Sequence, residues 1–193
     1  MHAFYINLDR RTDRRAEFEE ECRRMNLEVE RFPAVERTPG GIGCCHSHIE
    51  VLRMARDRKY PFVFIFEDDF EFLVSRSEFD EIVANLPDQY DVVMLSYNLQ
   101  RQEPYNDRFG KVLEVQTTAG YIVSSRFYDT LLDTWERGVK LYEQHPECHW
   151  LFLLDQSWKA LQPHSRWYYS LVRVGRQRAG WSDLGQRYID YGQ

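Results

Sequence analysis

The sequence has no apolar run that approaches the roughly 20 residues needed to cross a membrane. Cysteine is scarce: of the four cysteines, two are adjacent and two lie far away, so there is no disulfide framework and a reducing compartment is indicated. The first residues carry no basic segment ahead of an apolar one, so no signal peptide is predicted. We therefore expect a soluble, cytoplasmic protein without a membrane span.

Basic residues are fewer than acidic ones. The 25 Lys and Arg residues are outnumbered by 31 Asp and Glu residues, and the net charge of −6 argues against a general nucleic-acid-binding protein. The exception is the C-terminal region, where residues 164–193 contain five arginines against two aspartates. We predict that residues 173–193 form a basic tail that binds an anionic ligand or an acidic surface of the protein itself.

The sequence contains no linker, no internal repeat, and neither a P-loop nor a Gly-x-Gly-x-x-Gly fingerprint. Its segments follow the order strand, helix, strand, helix, strand, and a smaller mixed half comes after them. This order predicts a single α/β domain over residues 1–193 with a mostly parallel central sheet. We also expect a loop over residues 99–110, a helix over 150–161, and coil after residue 173.

The most informative stretch is residues 60–71, in which a short apolar run ends in three consecutive acids. Such a run predicts a fully buried strand, and ligands of open α/β sheets bind beyond the carboxyl ends of the strands. Glu67, Asp68 and Asp69 should therefore project toward a ligand. Clustered carboxylates repel one another unless a cation is present, and hard oxygen ligands suit Mg²⁺ or Mn²⁺, which can also hold a diphosphate. The alternative is a solvated acidic turn.

A second cluster, residues 44–48, reads Cys-Cys-His-Ser-His. Helical spacing places Cys44 and His48 on one face, but a structural zinc site needs four ligands and the sequence offers no second pair nearby. Zinc is therefore not the favoured interpretation. We expect both cysteines to pack in the core, and Ser47 and His48 to face the ligand crevice at the start of a helix.

Two further positions are candidates for contact with a substrate. Asp155 follows an apolar run on a predicted helix, and it is either a surface acid or a general base aimed into the crevice. Thr117 and Thr118 lie at a strand junction, where they can hydrogen-bond a substrate or, equally, their own backbone. We take Thr118 as the donor-binding candidate, and the residues alone leave both alternatives open.

Five short motifs occur along nearly the whole chain. In order, they are residues 5–14 (Tyr-Ile-Asn-Leu-Asp-Arg-Arg-Thr-Asp-Arg), 43–48 (Gly-Cys-Cys-His-Ser-His), 66–69 (Phe-Glu-Asp-Asp), 118–122 (Thr-Ala-Gly-Tyr-Ile) and 154–156 (Leu-Asp-Gln). Each motif alone is weak, but the ordered set resembles glycosyltransferase family 25. That family includes bacterial lipopolysaccharide galactosyltransferases and glucosyltransferases, and domains of procollagen galactosyltransferases.

The resemblance implies a GT-A-like fold, a UDP-hexose donor, a divalent ion such as Mn²⁺, and transfer with inversion to a hydroxyl of a saccharide or protein acceptor. The donor-binding residues that it implies are Asn7 and Leu8 at the base, Arg10 and Arg14 near the ribose or diphosphate, and Ser47 and His48 facing the donor. Glu67 and Asp69 stand where the family carries its metal-binding acids, and Asp69 is the better ligand of the two. Two features depart from the family: Gly120 stands where relatives often carry a larger or polar residue, and the chain is short, so its acceptor-binding elements are expected to be reduced.

Inverting transfer is a single displacement in which a carboxylate takes the acceptor proton and a metal neutralises the leaving diphosphate. We predict Asp155 as the base and Arg176 and Arg178 as additional phosphate contacts, with the tail closing over the donor and Trp181 covering it. Two other functions stay open: a catalytically weak nucleotide-sugar-binding module that serves a partner, and a metal-dependent phosphoesterase or nuclease. The negative net charge and the lack of a His-rich metal site count against the latter.

Overall fold

An eight-stranded sheet forms the centre of the computed structural model, which describes residues 1–183 and 185–190. Residues 184 and 191–193 of the predicted tail lie outside the described residues. The strands of the described chain are β1 (Ala3–Asn7), β2 (Glu30–Pro33), β3 (Phe62–Glu67), β4 (Phe70–Phe72), β5 (Val92–Met94), β6 (Asn98–Pro104), β7 (Phe109–Gln116), β8 (Gly120–Ser124), β9 (Trp167–Ser170), β10 (Gly175–Gln177), β11 (Gly180–Ser182) and β12 (Arg187–Ile189).

The α-helices of the described residues are α1 (Thr12–Arg24), α2 (Gly40–Asp57), α3 (Arg76–Ala84), α4 (Tyr128–Gln144), α5 (His149–Phe152) and α6 (Leu154–Ser157). The central sheet has the strand order β2-β1-β3-β8-β5-β9-β7-β6. Strand β1 runs parallel to both β2 and β3, and β5 runs parallel to β9. Strand β8 lies between β3 and β5 and is antiparallel to both, which makes the sheet mixed. The predicted α/β class is confirmed.

Strand β3 is apolar at successive positions and lacks the polar alternation of a strand with one exposed face. Its successive side chains point to opposite faces of the sheet, and both faces are covered. Val63 and Ile65 belong to a core shared with α2 and α4, whereas Phe64 and Phe66 belong to a second core shared with α1 and α3. The strand is therefore held rigidly between two layers, and it presents its final acids from a fixed position.

Three predicted segments differ from the structure. The loop expected over residues 99–110 is instead β6 and the start of β7, because β6 is polar and exposed and lacks the apolar alternation by which strands are recognised. The helix expected over 150–161 is divided into α5 and α6, since Leu153 has an extended ψ of 152°. The coil expected after residue 173 contains β10, β11 and β12, of which β10 pairs with β4.

The two edge strands of the sheet both end in a proline. At one edge, β2 is largely solvent-accessible and ends in Pro33. At the other edge, β6 pairs with β7 through register shifts around Arg101 and ends in Pro104. Between these edges, the carboxyl ends of β1 and β3 lie side by side.

Candidate active site

A cavity of about 520 Å³ opens at the carboxyl ends of β1 and β3, the position expected for the ligand of an open α/β sheet. Its other walls come from the segment after β2, from the first turns of α2, and from a C-terminal strap, which we define as residues 175–183. Of the predicted site residues, the cavity wall contains Leu8, Arg10, Arg14, Ser47, His48, Glu67, Asp68 and Asp69. Most of the predicted donor site is thus brought together at one place.

Asp68 and Asp69 form a buried acid pair that shares one arginine. Arg14 Nη1 lies 3.1 Å from Asp68 Oδ1 and 2.9 Å from Asp69 Oδ2. Asn7 donates from Nδ2 to Asp68 Oδ2 at 2.7 Å, and Gln177 donates from Nε2 to Asp69 Oδ2 at 3.2 Å. The remaining oxygen of Asp69, Oδ1, is buried and has no hydrogen-bond partner among the described residues.

The charge of this pair is incompletely balanced. Burial and the neighbouring Glu67 raise the pKa of Asp69 to about 7, although Arg14 acts against them. Burial also raises the pKa of Asp68, against the lowering effect of Arg14 and Asn7. A buried carboxylate oxygen without a donor, beside a second carboxylate, is the environment that a hard divalent cation relieves. The residues present therefore fit the Mn²⁺ or Mg²⁺ ion that the family resemblance implies.

Glu67 ends β3 and turns toward Thr118 and His48. Thr118 donates from Oγ1 to Glu67 Oε1 at 2.5 Å, and His48 Nε2 lies 3.4 Å from the same oxygen. Nδ1 of the fully buried His48 lies 2.7 Å from Tyr121 Oη. Burial acts to raise the pKa of Glu67, but His48 and Thr118 outweigh it, so that the pKa is lowered. Thr118 consequently holds an acid of the site and does not itself line the cavity.

The side chains of Ser47 and Asn7 both make hydrogen bonds within the protein. Ser47 donates from Oγ to the carbonyl of Gly43 at 2.7 Å and accepts from the Val35 backbone N–H at 2.8 Å, which ties the segment after β2 to α2. Asn7 is buried beneath Asp68 and also receives Arg31 Nε on its Oδ1 at 3.0 Å. It therefore positions the acid pair and is not part of the cavity wall.

The two arginines that open α1 are held by the strap. Arg10 Nη1 donates to Asp183 Oδ1 at 2.7 Å, and Arg11 Nη1 donates to Asp183 Oδ2 at 2.5 Å. Arg14 reaches the same strap and donates from Nη2 to the carbonyl of Trp181 at 2.8 Å. Asp183 thus forms ion pairs with two arginines at the start of α1, and the strap also contacts the third.

Arg176 and Arg178 point away from the cavity. Arg176 Nε lies 2.7 Å from Glu71 Oε2, across the antiparallel pair of β10 and β4, and Arg178 Nη1 lies 2.8 Å from Glu17 Oε2, on α1. These two arginines therefore follow the alternative prediction, in which the tail pairs with acids of the protein itself, and they do not contact the cavity. The same pairs attach the strap to the rest of the fold.

Asp155 lies on α6, and it too is absent from the cavity wall of the described residues. Its Oδ2 accepts from the Thr117 backbone N–H at 3.5 Å. Burial raises the pKa of Asp155, and nearby Glu67 adds to that effect. Thr117 has a φ of 83°, which is uncommon for a β-branched residue and marks the junction beside Asp155 as a constrained turn.

Several residues that line the cavity or contact its acids and arginines were not predicted, among them Arg11, Arg37, Gln177 and Asp183. Gln177 and Asp183 reach the acids and arginines only because β10 pairs with β4, a contact between residues about 100 apart for which no local pattern exists. Arg11 carried a signal, since it lies next to Arg10 at the start of α1. Cys45 packs in the core as predicted, and Cys44 packs against the same core while also lying on the cavity wall.

The sequence model of glycosyltransferase family 25, described as an LPS biosynthesis protein, matches residues 36–141, more than half of the chain. The chain belongs to glycosyltransferase family 25. The matched region contains the 44–48 cluster, the acids at the end of β3, and Thr118. The start of α1, Asp155 and the strap lie outside it, although the start of α1 and the strap both border the same cavity.

Two crystal structures are similar to this family 25 protein over nearly its whole length. One is a glycosyltransferase involved in the glycosylation of the major capsid of PBCV-1, with a TM-score of 0.62, 8% identity, and coverage of 96% of this chain and 95% of that chain. The other is A197 from STIV, with a TM-score of 0.54, 13% identity, and coverage of 98% and 93%. At these identities the likeness concerns the fold, and it confirms the predicted GT-A-like architecture.

No curated protein matches the chain in sequence. Among the described residues, no helix combines the length and the apolar character required of a membrane span.

Proposed function

We propose that this family 25 protein is a metal-dependent, inverting glycosyltransferase that moves a hexose, galactose or glucose, from a UDP-sugar to a hydroxyl of a saccharide or protein acceptor. The observation that carries the proposal is the buried, unpartnered Oδ1 of Asp69 beside Asp68, at the carboxyl end of β3. The family description, LPS biosynthesis, favours a saccharide acceptor.

Asp68 and Asp69 are placed to hold Mn²⁺ or Mg²⁺, while Glu67, the third predicted ligand, turns to His48 and Thr118. When bound, such an ion would neutralise charge on the diphosphate leaving group. Arg14 already contacts both aspartates, and its guanidinium is therefore positioned to exchange a carboxylate partner for a phosphate oxygen.

The rest of the cavity supports a nucleotide. Its apolar lining comes from Ile6, Leu8, Ala34, Val35 and Pro39. Its cationic lining comes from Arg10, Arg14 and Arg37. A cavity with an apolar part for a flat base and a cationic part for phosphates suits a nucleoside diphosphate better than a neutral sugar alone.

Asp155 is the proposed general base. Inversion requires a carboxylate that takes the proton of the acceptor hydroxyl as that oxygen attacks the anomeric carbon. The raised pKa of Asp155 suits this task, because a base works best when its pKa approaches the working pH. The constrained Thr117 turn holds the carboxylate through the backbone N–H.

A two-part experiment tests the proposal. UDP is titrated calorimetrically into the protein with Mn²⁺ or with EDTA, and UDP release from UDP-galactose and UDP-glucose is then followed with and without saccharide acceptors. We expect Mn²⁺-dependent UDP binding and acceptor-stimulated release. Absence of UDP binding in Mn²⁺ would remove the nucleotide-sugar assignment.

A second function, a catalytically weak nucleotide-sugar-binding module, is favoured by one observation: Asp155 is not on the cavity wall. The same experiment separates the two functions. Tight Mn²⁺-dependent binding of UDP-sugar without release of UDP, across a panel of acceptors, supports the binding module.

A further inference from the structure

Cys44, His48 and Glu67 bring three different ligand atoms together on one wall of the cavity. Cys44 and His48 are one turn apart on α2, and Glu67 ends β3. The thiol sulphur, a ring nitrogen and a carboxylate oxygen all lie within 4.8 Å of one another. The sequence offered only the first two of these ligands, because the third comes from a different element.

His48 supplies an independent observation that points to a ligand. Its side chain is fully buried, and Nε2 makes no aligned hydrogen bond among the described residues, although it lies 3.4 Å from Glu67 Oε1. The other ring nitrogen is held by Tyr121 Oη at 2.7 Å, so the orientation of the ring is fixed. Nε2 therefore faces the Glu67 carboxylate, in the same cluster as the Cys44 thiol, without a directed hydrogen bond.

The spacing of the His48 and Glu67 ligand atoms fits tetrahedral coordination. Zinc binds a histidine nitrogen and a carboxylate oxygen at about 2.0–2.1 Å, which places the two atoms about 3.3–3.4 Å apart at the tetrahedral angle. The distance between His48 Nε2 and Glu67 Oε1 is 3.4 Å. In metal sites, the histidine ring is commonly held in this way, with one ring nitrogen binding the metal and the other making a hydrogen bond.

We infer that Cys44, His48 and Glu67 form a second metal site, for Zn²⁺ or a similar thiolate-binding transition ion, distinct from the hard-cation pair Asp68 and Asp69. Thiolate and imidazole ligands select such ions, whereas Mn²⁺ and Mg²⁺ favour oxygen ligands. Three protein ligands leave a fourth position, and Cys44 lies on the cavity wall, so water or a substrate oxygen can fill that position from the cavity. On binding, the Cys44 thiol releases its proton to solvent.

The site would join α2 to β3 beneath the donor cavity. An ion that binds only the native state stabilises it by mass action. This inference does not depend on transfer activity, because the ligands differ from those of the acid pair and the binding can be measured without any sugar.

Cobalt is the probe, because Co²⁺ bound by a thiolate in a tetrahedral site gives intense absorption that oxygen-only sites lack. The protein of residues 1–193 is titrated with Co²⁺ under anaerobic conditions and without added thiols. We expect a thiolate-to-cobalt band that saturates at one equivalent and disappears when Zn²⁺ is added. X-ray absorption of the zinc form should show one sulphur at about 2.3 Å with nitrogen or oxygen ligands at about 2.0–2.1 Å.

Variants assign the ligands. Cys44→Ser and Cys44→Ala should both abolish the band, and circular dichroism verifies that each variant is folded. Cys148→Ser, which removes a partly exposed thiol outside the cluster, should retain it. Tyr121→Phe should weaken Co²⁺ affinity about 10–100-fold, because it removes the group that fixes the ring. Asp69→Asn should retain the band while losing Mn²⁺ binding, which separates the two sites.

Two outcomes overturn the inference. One is the absence of a thiolate band in the wild-type protein at Co²⁺ concentrations that saturate ordinary zinc sites. The other is a band that survives in both Cys44 variants. Neither outcome bears on the proposed transfer activity, which is read from UDP binding and release.

Discussion

The Asp183 carboxylate lies 2.5 Å from the Arg11 guanidinium, although 172 residues separate them in the chain. Asp183 also pairs with Arg10 at 2.7 Å, so that one acid of the strap covers two cations at the start of α1. Burial acts to raise the pKa of Asp183, but the two arginines outweigh it and lower the pKa. The carboxylate is therefore ionised at neutral pH, and it occupies cations that a diphosphate could also bind.

Asp183→Asn should loosen the strap. The side chains of the pair with Arg11 are 14% and 19% exposed, and such partly screened pairs contribute about 0.2–1 kcal/mol each. We expect trypsin to cut after Arg178 about two- to tenfold faster in the variant, since cleavage follows the population of locally opened chain. In the wild type, UDP with Mn²⁺ should slow this cleavage, as expected if the strap closes over the donor. Equal rates in all three samples would leave the strap as fixed structure.

Asp69→Asn should weaken Mn²⁺-dependent UDP binding by at least about tenfold, or about 1.4 kcal/mol, while leaving the fold intact. The amide has nearly the same shape but removes one negative charge from the acid pair. The affinity for UDP is measured by calorimetry with Mn²⁺ and with EDTA. Asp88→Asn, at an exposed position, is the matched control. Unchanged Mn²⁺-dependent affinity would exclude Asp69 from the site.

Asp69 should also give stability a pH dependence. An aspartate ordinarily titrates near 3.9, as in the unfolded chain, whereas the pKa of Asp69 in the folded protein is raised to about 7. Between about pH 4 and 7 the folded state holds a proton that the unfolded state has released, so the free energy of unfolding falls as pH rises through this window. The groups that face Asp69 are Glu67, Asp68, Arg14 and Gln177.

Urea denaturation in EDTA at pH 5 and pH 7.5 measures this effect. The wild type should lose more stability between the two pH values than Asp69→Asn, because the amide cannot titrate. Parallel pH profiles for the two proteins would show that Asp69 titrates near its ordinary value when folded.

Asp155→Asn should reduce turnover by about 10²–10⁴-fold while preserving affinity for the UDP-sugar. Removing a base lowers the rate of the chemical step without removing a contact to the donor. Turnover is followed by UDP release, and donor affinity by calorimetry. Asp133→Asn, on the exposed face of α4, should change neither quantity. Equal losses of rate and of donor affinity would show that Asp155 binds the donor, and normal turnover would return it to a structural role.

Gly120→Ala should destabilise the fold by about 1–3 kcal/mol, the usual cost of overpacking a core. A Cβ at this position would lie 2.3 Å from Phe70 Cε2, inside van der Waals contact. Gly180→Ala is the matched control, because no atom lies within 4 Å of the corresponding Cβ. Chemical denaturation of both variants gives the comparison. A Gly120→Ala protein as stable as the Gly180→Ala protein would mean that the Phe70 ring moves aside freely.

The local parts of the site could be predicted from the sequence, because they follow from short segments with strong patterns. The apolar run of β3 fixed the position of the acids, and family motifs indicated Arg10, Arg14 and His48. The parts that could not be predicted depend on contacts between distant segments: Gln177 and Asp183 reach the cavity through the pairing of β10 with β4. Gly120 shows the same limit, since its departure from the family is explained only by the Phe70 ring against it.

The edge strands of the sheet have a consequence for how the protein behaves at high concentration. A flat, regular edge strand is a template on which another chain can add, and this is a route to aggregation. Here one edge strand has only four residues, two of them charged, and ends in Pro33, while polar side chains, a register shift and Pro104 interrupt the other. Strand exchange between molecules is therefore disfavoured at both ends, and the protein can expose its sheet edges to solvent without covering them by a partner.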